Sequence, residues 1–377
     1  MMRKFNFILI ILGCMLFAMS CSDDNKVVEE SPLKVVESNV VFTAAGGNGT
    51  IKVTSTTPVA SVTSSDDWCK VSVSGSDAIS VNVGQYAGTE SRNSLVTITD
   101  KNSNEVHIAV SQSGFVFSVD EDKHVIKDAE GTYYVPMVHS LAATAVADSS
   151  WLKASVVGDS LVLKATANTT GDVRSSYVRC ECSGNKDSVL VVQGETSDIL
   201  GNYYFAGTLR DGSVGYIASE LVQKTDGSLA VDFPALDWEA PVTVSSDGLS
   251  FNLAGGTYLG TYTEVDTTTN VKTLSYIYTV LWDTDQGYIA WSPDYSFTCD
   301  FDGTAGSGIG VFRDNGSWSG YVVSALRFEE FTKQEAIGSN RRKVSLLSLI
   351  HPFMQKMKSG SSSSKKFRAS AIPLFRR

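Results

Sequence analysis

The chain has 377 residues, a net charge of −10, only 19% charged residues and 31 glycines. Residues 332–377 hold eleven Lys/Arg against one acid, Glu335, so the remainder is left near −20. A body this acidic excludes nucleic acid as a partner, because phosphates require a basic face. The Thr, Ser, Val and Tyr that dominate the middle exclude a mainly helical protein.

The first element is an export signal over residues 1–20. Arg3 and Lys4 give a positive start, Phe5 to Phe17 is almost unbroken apolar sequence, and the small residues Ala18 and Ser20 stand just before Cys21. That order describes a secretory signal, and the apolar run is shorter than the roughly 20 residues a membrane span needs. With a cysteine directly after the small residues, the segment resembles a lipobox. The resemblance implies cleavage before Cys21 and lipid on its sulfur, hence a membrane partner. Residues 21–31, polar and free of aromatics, read as a flexible tether. Asp23 and Asp24 are similar to the acidic surface-export signal of Bacteroidetes lipoproteins. The expected location is therefore the outer membrane, facing the cell surface, with a periplasm-facing anchor as the alternative.

Next comes a duplication. SSDDWCKVSV around Trp68 and ADSSWLKASV around Trp151 lie 83 residues apart. Trp68 is followed by Arg92 after 24 residues and Trp151 by Arg174 after 23. Each repeat closes on a valine-rich strand ending in glutamine, Gln112 or Gln193, 20 and 19 residues past the arginine. Short alternating strands between Gly/Asn/Asp/Ser turns predict a β-sandwich in each repeat, with Trp68 and Trp151 as structural core anchors. On these landmarks residues 32–114 and 115–196 resemble two BACON domains (Bacteroidetes-associated carbohydrate-binding, often N-terminal). The resemblance implies seven- or eight-stranded immunoglobulin-like sandwiches on exported lipoproteins, serving as glycan binders or as spacers.

From 198 to 332 the texture changes: 22 aromatic residues fall in 135 positions, against 9 in the 165 of the repeats. Asp-Gly pairs at 211–212, 226–227, 247–248 and 302–303 and Asn-Gly at 315–316 punctuate alternating runs, a sign of consecutive hairpins. A meander of this length predicts an antiparallel β-barrel, with a jelly-roll sandwich as the alternative. ILGNYYFAGTL, through Gly201 and Tyr203, is similar to the first strand of lipocalin-like barrels. Trp282, Trp291 and Trp318, each beside a turn or strand end, are the candidate ligand-binding residues, since flat aromatic faces stack on sugars. Asp283/Asp285 and Asp300/Asp302 read as hydrogen-bonded turns, not calcium loops.

No histidine falls in 198–332, which excludes a Ser-His or Cys-His engine there. Glu220, Glu239 and Glu264 are the carboxylates available to a glycoside hydrolase, but the expectation is no catalysis, no cofactor and no metal. Cys69, Cys180, Cys182 and Cys299 read as small core residues. Residues 333–377 read as a basic, disordered tail. Pro352 interrupts the helical spacing of Leu346, Ile350, Phe353 and Met357. The fold class read from the sequence is all-β, two tandem immunoglobulin-like sandwiches followed by the aromatic-rich barrel. The expected function is a surface lipoprotein presenting a glycan-binding domain. The alternatives are a lipocalin-like carrier of a lipophilic ligand, or a structural stalk or adhesin that meets a surface protein.

Overall fold

The computed structural model describes residues 32–333, 341–357 and 370–371. The expected signal, Cys21 and the tether lie outside these residues, as do 334–340, 358–369 and 372–377 of the expected tail. No described helix is long and apolar enough to cross a membrane. Two compact units divide near Gly114, the first sandwich and everything after it.

The first unit contains β1 (Leu33–Ser38), β2 (Val41–Phe42), β3 (Gly47–Ser55), β4 (Val59–Ser64), β5 (Cys69–Val73), β6 (Ala78–Val83), β7 (Arg92–Asp100) and β8 (Glu105–Gln112). They form two four-stranded sheets, β1-β3-β6-β5 and β2-β8-β7-β4. Period-two alternation sends Ile51, Val53, Ile79, Val81, Val96 and Ile98 into the shared core, while the intervening Lys52, Asn82 and Leu95 face outward.

The β7–β8 turn is tied by Asp100. Its carboxylate accepts from Asn102 N (2.8 Å), Asn104 N (2.9 Å), Asn104 Nδ2 (3.0 Å) and Ser55 Oγ (3.0 Å). These bonds, the Asn104 side chain foremost, hold Asp100 well below the ordinary carboxylate value of 3.8. A depressed folded value lends stability that is complete above the unfolded value and is lost as pH falls through the folded one. The melting gap between wild type and Asp100→Ala is therefore expected in full at pH 7 and closing only well below pH 3.8. Melts of the first sandwich across that range check it. A gap that closes between pH 6 and 4 would contradict the assignment.

The second unit opens with the same sandwich. Its strands are β9 (Phe117–Val119), β10 (Lys123–Ile126), β11 (Gly131–His139), β12 (Ala143–Ala147), β13 (Leu152–Val157), β14 (Ser160–Ala165), β15 (Arg174–Cys182) and β16 (Asn185–Gln193). Its sheets are β13-β14-β11-β9 and β10-β16-β15-β12. Cys69, Cys180, Cys182 and Cys299 are free thiols, each no more than 2% exposed, as a core role requires. Burial raises the Cys180 thiol to about 11.

A short helix, α1 (Thr196–Ile199), leads into the barrel strands. These are β17 (Gly201–Thr208), β18 (Val214–Gln223), β19 (Leu229–Phe233), β20 (Trp238–Val244), β21 (Ser250–Ala254), β22 (Tyr258–Val265), β23 (Lys272–Asp283), β24 (Tyr288–Ala290), β25 (Ser296–Asp300), β26 (Ile309–Asp314), β27 (Ala325–Phe331), β28 (Arg341–Lys356) and β29 (Ser370–Ala371). Eight of them, β17-β18-β19-β20-β21-β25-β26-β28, form a ring that β17 closes by pairing with β28. That closure sets the jelly-roll alternative aside. β27, β23 and β22 extend the sheet from the other half of β28, and β24 pairs with β23.

The expected end of the barrel at 332 needs correcting. Residues 341–356, assigned to a basic tail, form the longest strand of the domain and complete its ring. The misreading has a physical cause. Leu347 and Leu349 point inward on one phase of the alternation, Pro352 and Met354 on the other. His351, at φ +47°, absorbs the slip between them, and the opposing strand shifts register between Ala206 and Thr208. A β-bulge of this kind breaks period two and leaves a spacing that mimics an interrupted helix.

Sandwich and barrel within this unit share a core. β16 is buried on both faces. Val189 and Val191 enter the sandwich interior, while Leu190 and Val192, with Val173, join the barrel cluster around Ile199, Leu249 and Phe301. Polar pins reinforce the seam. Lys123 Nζ lies 3.4 Å from Asp247 and 3.3 Å from Asp300. Lys356 Nζ reaches Asp172 (3.1 Å) and the Asp198 carbonyl (2.8 Å).

Candidate functional site

The three landmarks of each repeat are one physical cluster. Arg92 and Gln112 are direct cross-strand partners, as are Arg174 and Gln193. Arg92 Nε and Nη2 donate to Gln112 Oε1 at 3.0 and 2.7 Å, and Arg174 does the same to Gln193 Oε1 at 2.9 and 2.7 Å. The fully buried glutamine amides then donate to backbone carbonyls just past the ends of neighbouring strands. Gln112 bonds Thr43, Ala44 and Gly84; Gln193 bonds Lys127, Asp128 and Thr166. Each guanidinium also lies over its tryptophan, 4.2 Å from the Trp68 ring and 4.4 Å from Trp151. Trp68 and Trp151 are half-buried against their cores, not sealed within them. A ring stacked under a cation and above a core fits a structural anchor.

The barrel interior is filled with aromatic rings. Phe205 meets Phe233 (5.7 Å between centroids) and Phe312 (5.2 Å), Phe233 meets Phe328 (5.4 Å), and Tyr203 meets Phe301 (5.7 Å). These distances are those of packed aromatic pairs. Trp238 joins the mesh and donates Nε1–H to the Thr261 carbonyl at 2.9 Å.

A second aromatic cluster covers the other face of β23 and β27. Tyr278, Val280 and Phe331 are buried there, and Tyr258, Tyr276, Ile289 and Trp291 lie half-buried upon them. Tyr258 sits 5.3 Å from Tyr278 and 6.4 Å from Tyr276; burial and the neighbouring Tyr276 raise its phenol. On the same side the Arg327 guanidinium lies 3.5 Å from the Trp282 ring centroid and 3.6 Å from Glu329, and Arg210 approaches Trp282 to 5.4 Å.

Residues 58–113 and 142–194 match the BACON family, described as a putative binding domain, N-terminal. The two sandwiches are BACON domains. No curated protein matches the chain. Solved structures similar to it include an endo-fucoidan hydrolase from glycoside hydrolase family 107, at 12% identity and TM-score 0.26 over 45% of this chain and 29% of that one. Others are a chimeric titin Z1Z2, at 11% identity and TM-score 0.28 over 44% and 93%, and a three-immunoglobulin titin fragment, at 11% and 0.25 over 79% and 93%. The chain spans less than a third of the fucoidan hydrolase. At these TM-scores none of the three carries an argument, and the immunoglobulin-like form of the BACON domains rests on their own sheets.

The candidate tryptophans separate beyond the BACON pair. Trp291 belongs to the half-buried outer face. Trp282 lies beside it, one face given to a guanidinium. Trp318 does not fit the expected ligand platform. It is 8% exposed and stacked with Tyr295 (5.6 Å) and Tyr321 (4.4 Å), so these two tyrosines take its faces. The turn beside it raises its apparent accessibility in the sequence, but Tyr295 and Tyr321 close over the ring.

The expected aspartate turns are present. Asp283 accepts from the backbone N–H groups of Asp285, Gln286 and Val322, all at 3.0 Å. Asp302 accepts from Thr304 N and Arg313. Of the named glutamates, Glu220 and Glu239 flank Asp232 across three strands, where Lys224 pairs with Glu239 (2.6 Å) and Asp232 (3.5 Å). Glu264 stands on a different strand, β22.

Proposed function

We propose that the protein is a non-catalytic, lipid-anchored surface binder, tethered through Cys21, that holds glycan on the outer aromatic face of its barrel. The supporting observation is the division of the barrel's rings into two clusters. The inner one is packed ring against ring, which removes the volume a lipophilic cargo would need and so disfavours a carrier. The outer one presents Trp291, Tyr258 and Tyr276 half-buried, over a face in which the Arg327–Glu329 pair is buried. Half-exposed planar rings, two of them with phenol hydroxyls, suit the apolar face and hydroxyl rim of a pyranose. The BACON domains serve as the stalk.

Capture of immobilised glycans by whole cells tests both halves. Wild-type cells are expected to bind. Trp291→Ala keeps the protein on the cell and weakens capture about tenfold, the effect of about 1.4 kcal/mol of lost stacking. Cys21→Ala releases the protein from the membrane fraction. Unchanged fractionation in Cys21→Ala would refute the anchor, and unchanged capture in Trp291→Ala would refute the site.

A further inference from the structure

The two BACON domains share one scaffold in identical register, so their outer faces compare position by position. Across the middle strands of the first run the rows Lys70–Asn82–Asn48 and Ser72–Ser80–Thr50. The matching rows of the second are Lys153–Lys164–Thr132 and Ser155–Val162–Tyr134. The first face is uniformly polar in these rows, which carry a single lysine, and has Asn82 Nδ2 donating to Asn48 at 2.7 Å. The second is not uniformly polar.

In the second domain Lys153 and Lys164 stand directly opposite one another, both exposed. Like charges in direct cross-strand register destabilise a sheet. Neither lysine has an acidic partner among the described residues. The neighbouring row carries Tyr134, 64% exposed, on a sheet surface floored by Val162 at 7%. Next to the lysines an open depression of about 350 Å³ is lined by Trp151, Thr132, Thr166, Lys153, Lys164 and one acid, Glu130. The first domain holds Thr50, Ser80 and Asn82 where the second holds Tyr134, Val162 and Lys164. The shared fold therefore requires neither the aromatic ring nor the opposed charges.

We propose that this face of the second BACON domain binds an acidic saccharide. The exposed Tyr134 ring stacks on one sugar, and Lys153 and Lys164 together take the carboxylate or sulfate of that sugar or its neighbour. An anion between the two ammonium groups converts their repulsion into two charge-assisted hydrogen bonds. Thr132 supplies a hydroxyl for the sugar's own, whereas the Thr166 hydroxyl is held by the Trp151 carbonyl and Arg174. The site is distinct from the outer face of the barrel and does not depend on it.

Calorimetric titration of the full chain with tetragalacturonate, with a sulfated chondroitin hexasaccharide and with maltohexaose tests the assignment. At least one acidic probe is expected to bind, more weakly as salt rises, and maltohexaose not to compete. The double variant Lys153→Gln/Lys164→Gln is expected to lose about tenfold in affinity for that probe, and Tyr134→Ala about fivefold. The lysine variant melts at or slightly above the wild-type temperature, because the opposed like charges are gone, and Tyr134→Ala stays close to wild type, since that ring is exposed. Lys70→Gln and Trp291→Ala leave this binding unchanged. Carboxylate against sulfate is decided by which acidic probe responds. Failure of both acidic probes, equal binding of maltohexaose, binding only to phosphatidylglycerol vesicles, or affinity untouched by the three substitutions would each overturn the proposal.

Discussion

Gln193→Leu is expected to lower the melting temperature of the second sandwich and the barrel together, whereas Gln112→Leu lowers that of the first sandwich alone. Leucine fills the same space but offers no amide. Three backbone carbonyls and the Arg174 guanidinium then face an apolar group at a site that is 0% exposed. A lost hydrogen bond to a charged group costs about 1.5–3 kcal/mol, and stranded carbonyls add to it. Arg174 itself is half-buried and keeps some access to water, so the total is set at about 3 kcal/mol. In a unit of this length that is a drop of about 6–10 °C, and in the smaller first sandwich about 15 °C. The difference in reach follows from β16. Leu190 and Val192 carry the sandwich's stability into the barrel core, while β8 has polar or small residues, His107 and Ala109, at alternate positions. Calorimetry of the full chain reads both. Two independent transitions within residues 115–357, with only one moved by Gln193→Leu, would contradict the shared core.

Ending the chain at Lys333 is expected to prevent the barrel from folding. β28 is the strand between β26 and β17, and without it β17, β26 and β27 all become open edges. Leu347, Leu349 and Met354, each at most 3% exposed, leave the core with it. Burial of such side chains is worth roughly 1.5–3 kcal/mol each. Three of them, with their ladder bonds, consume most of the roughly 5–15 kcal/mol that stabilises a domain. Leu349→Asp makes the same point with one substitution, burying an unpaired carboxylate among the inner rings at a cost of several kcal/mol. Near-ultraviolet circular dichroism of the aromatic core and dye binding to exposed apolar surface measure both. A truncated chain with native aromatic signals would show that 341–356 is dispensable.

Much of this fold is legible in the residues. Trp68, Arg92 and Gln112 recur as Trp151, Arg174 and Gln193 at matched spacing because the three side chains touch, and a hairpin of fixed length sets the arginine opposite the glutamine. The Asp-Gly and Asn-Gly turns mark the barrel hairpins, with Gly212, Gly227, Gly248, Gly303 and Gly316 all at positive φ. The closing strand was hidden by the phase slip at His351. The shared core had a visible signal: VLVVQ in β16 is apolar at every position before the glutamine, as a strand covered on both faces must be, whereas VHIAVSQ in β8 alternates. Trp318 shows the limit of turn proximity as a guide, because nothing local reveals that Tyr295 and Tyr321 return to cover it. The opposed pair Lys153–Lys164 could not be found before the register was known, since the two lysines lie eleven positions apart along the chain and meet only through pairing of β13 with β14.

The claim on which the rest depends is that the barrel binds on its outer face and not in its interior. Hydroxyl-radical footprinting of the full chain, with and without a glycan that it captures, measures this at single tryptophans. The account expects Trp291 to gain protection together with Tyr258 and Tyr276, while Trp318 and Trp238 stay unchanged. Protection confined to the interior rings, or none on the β22–β23 face while the glycan is bound, would contradict it.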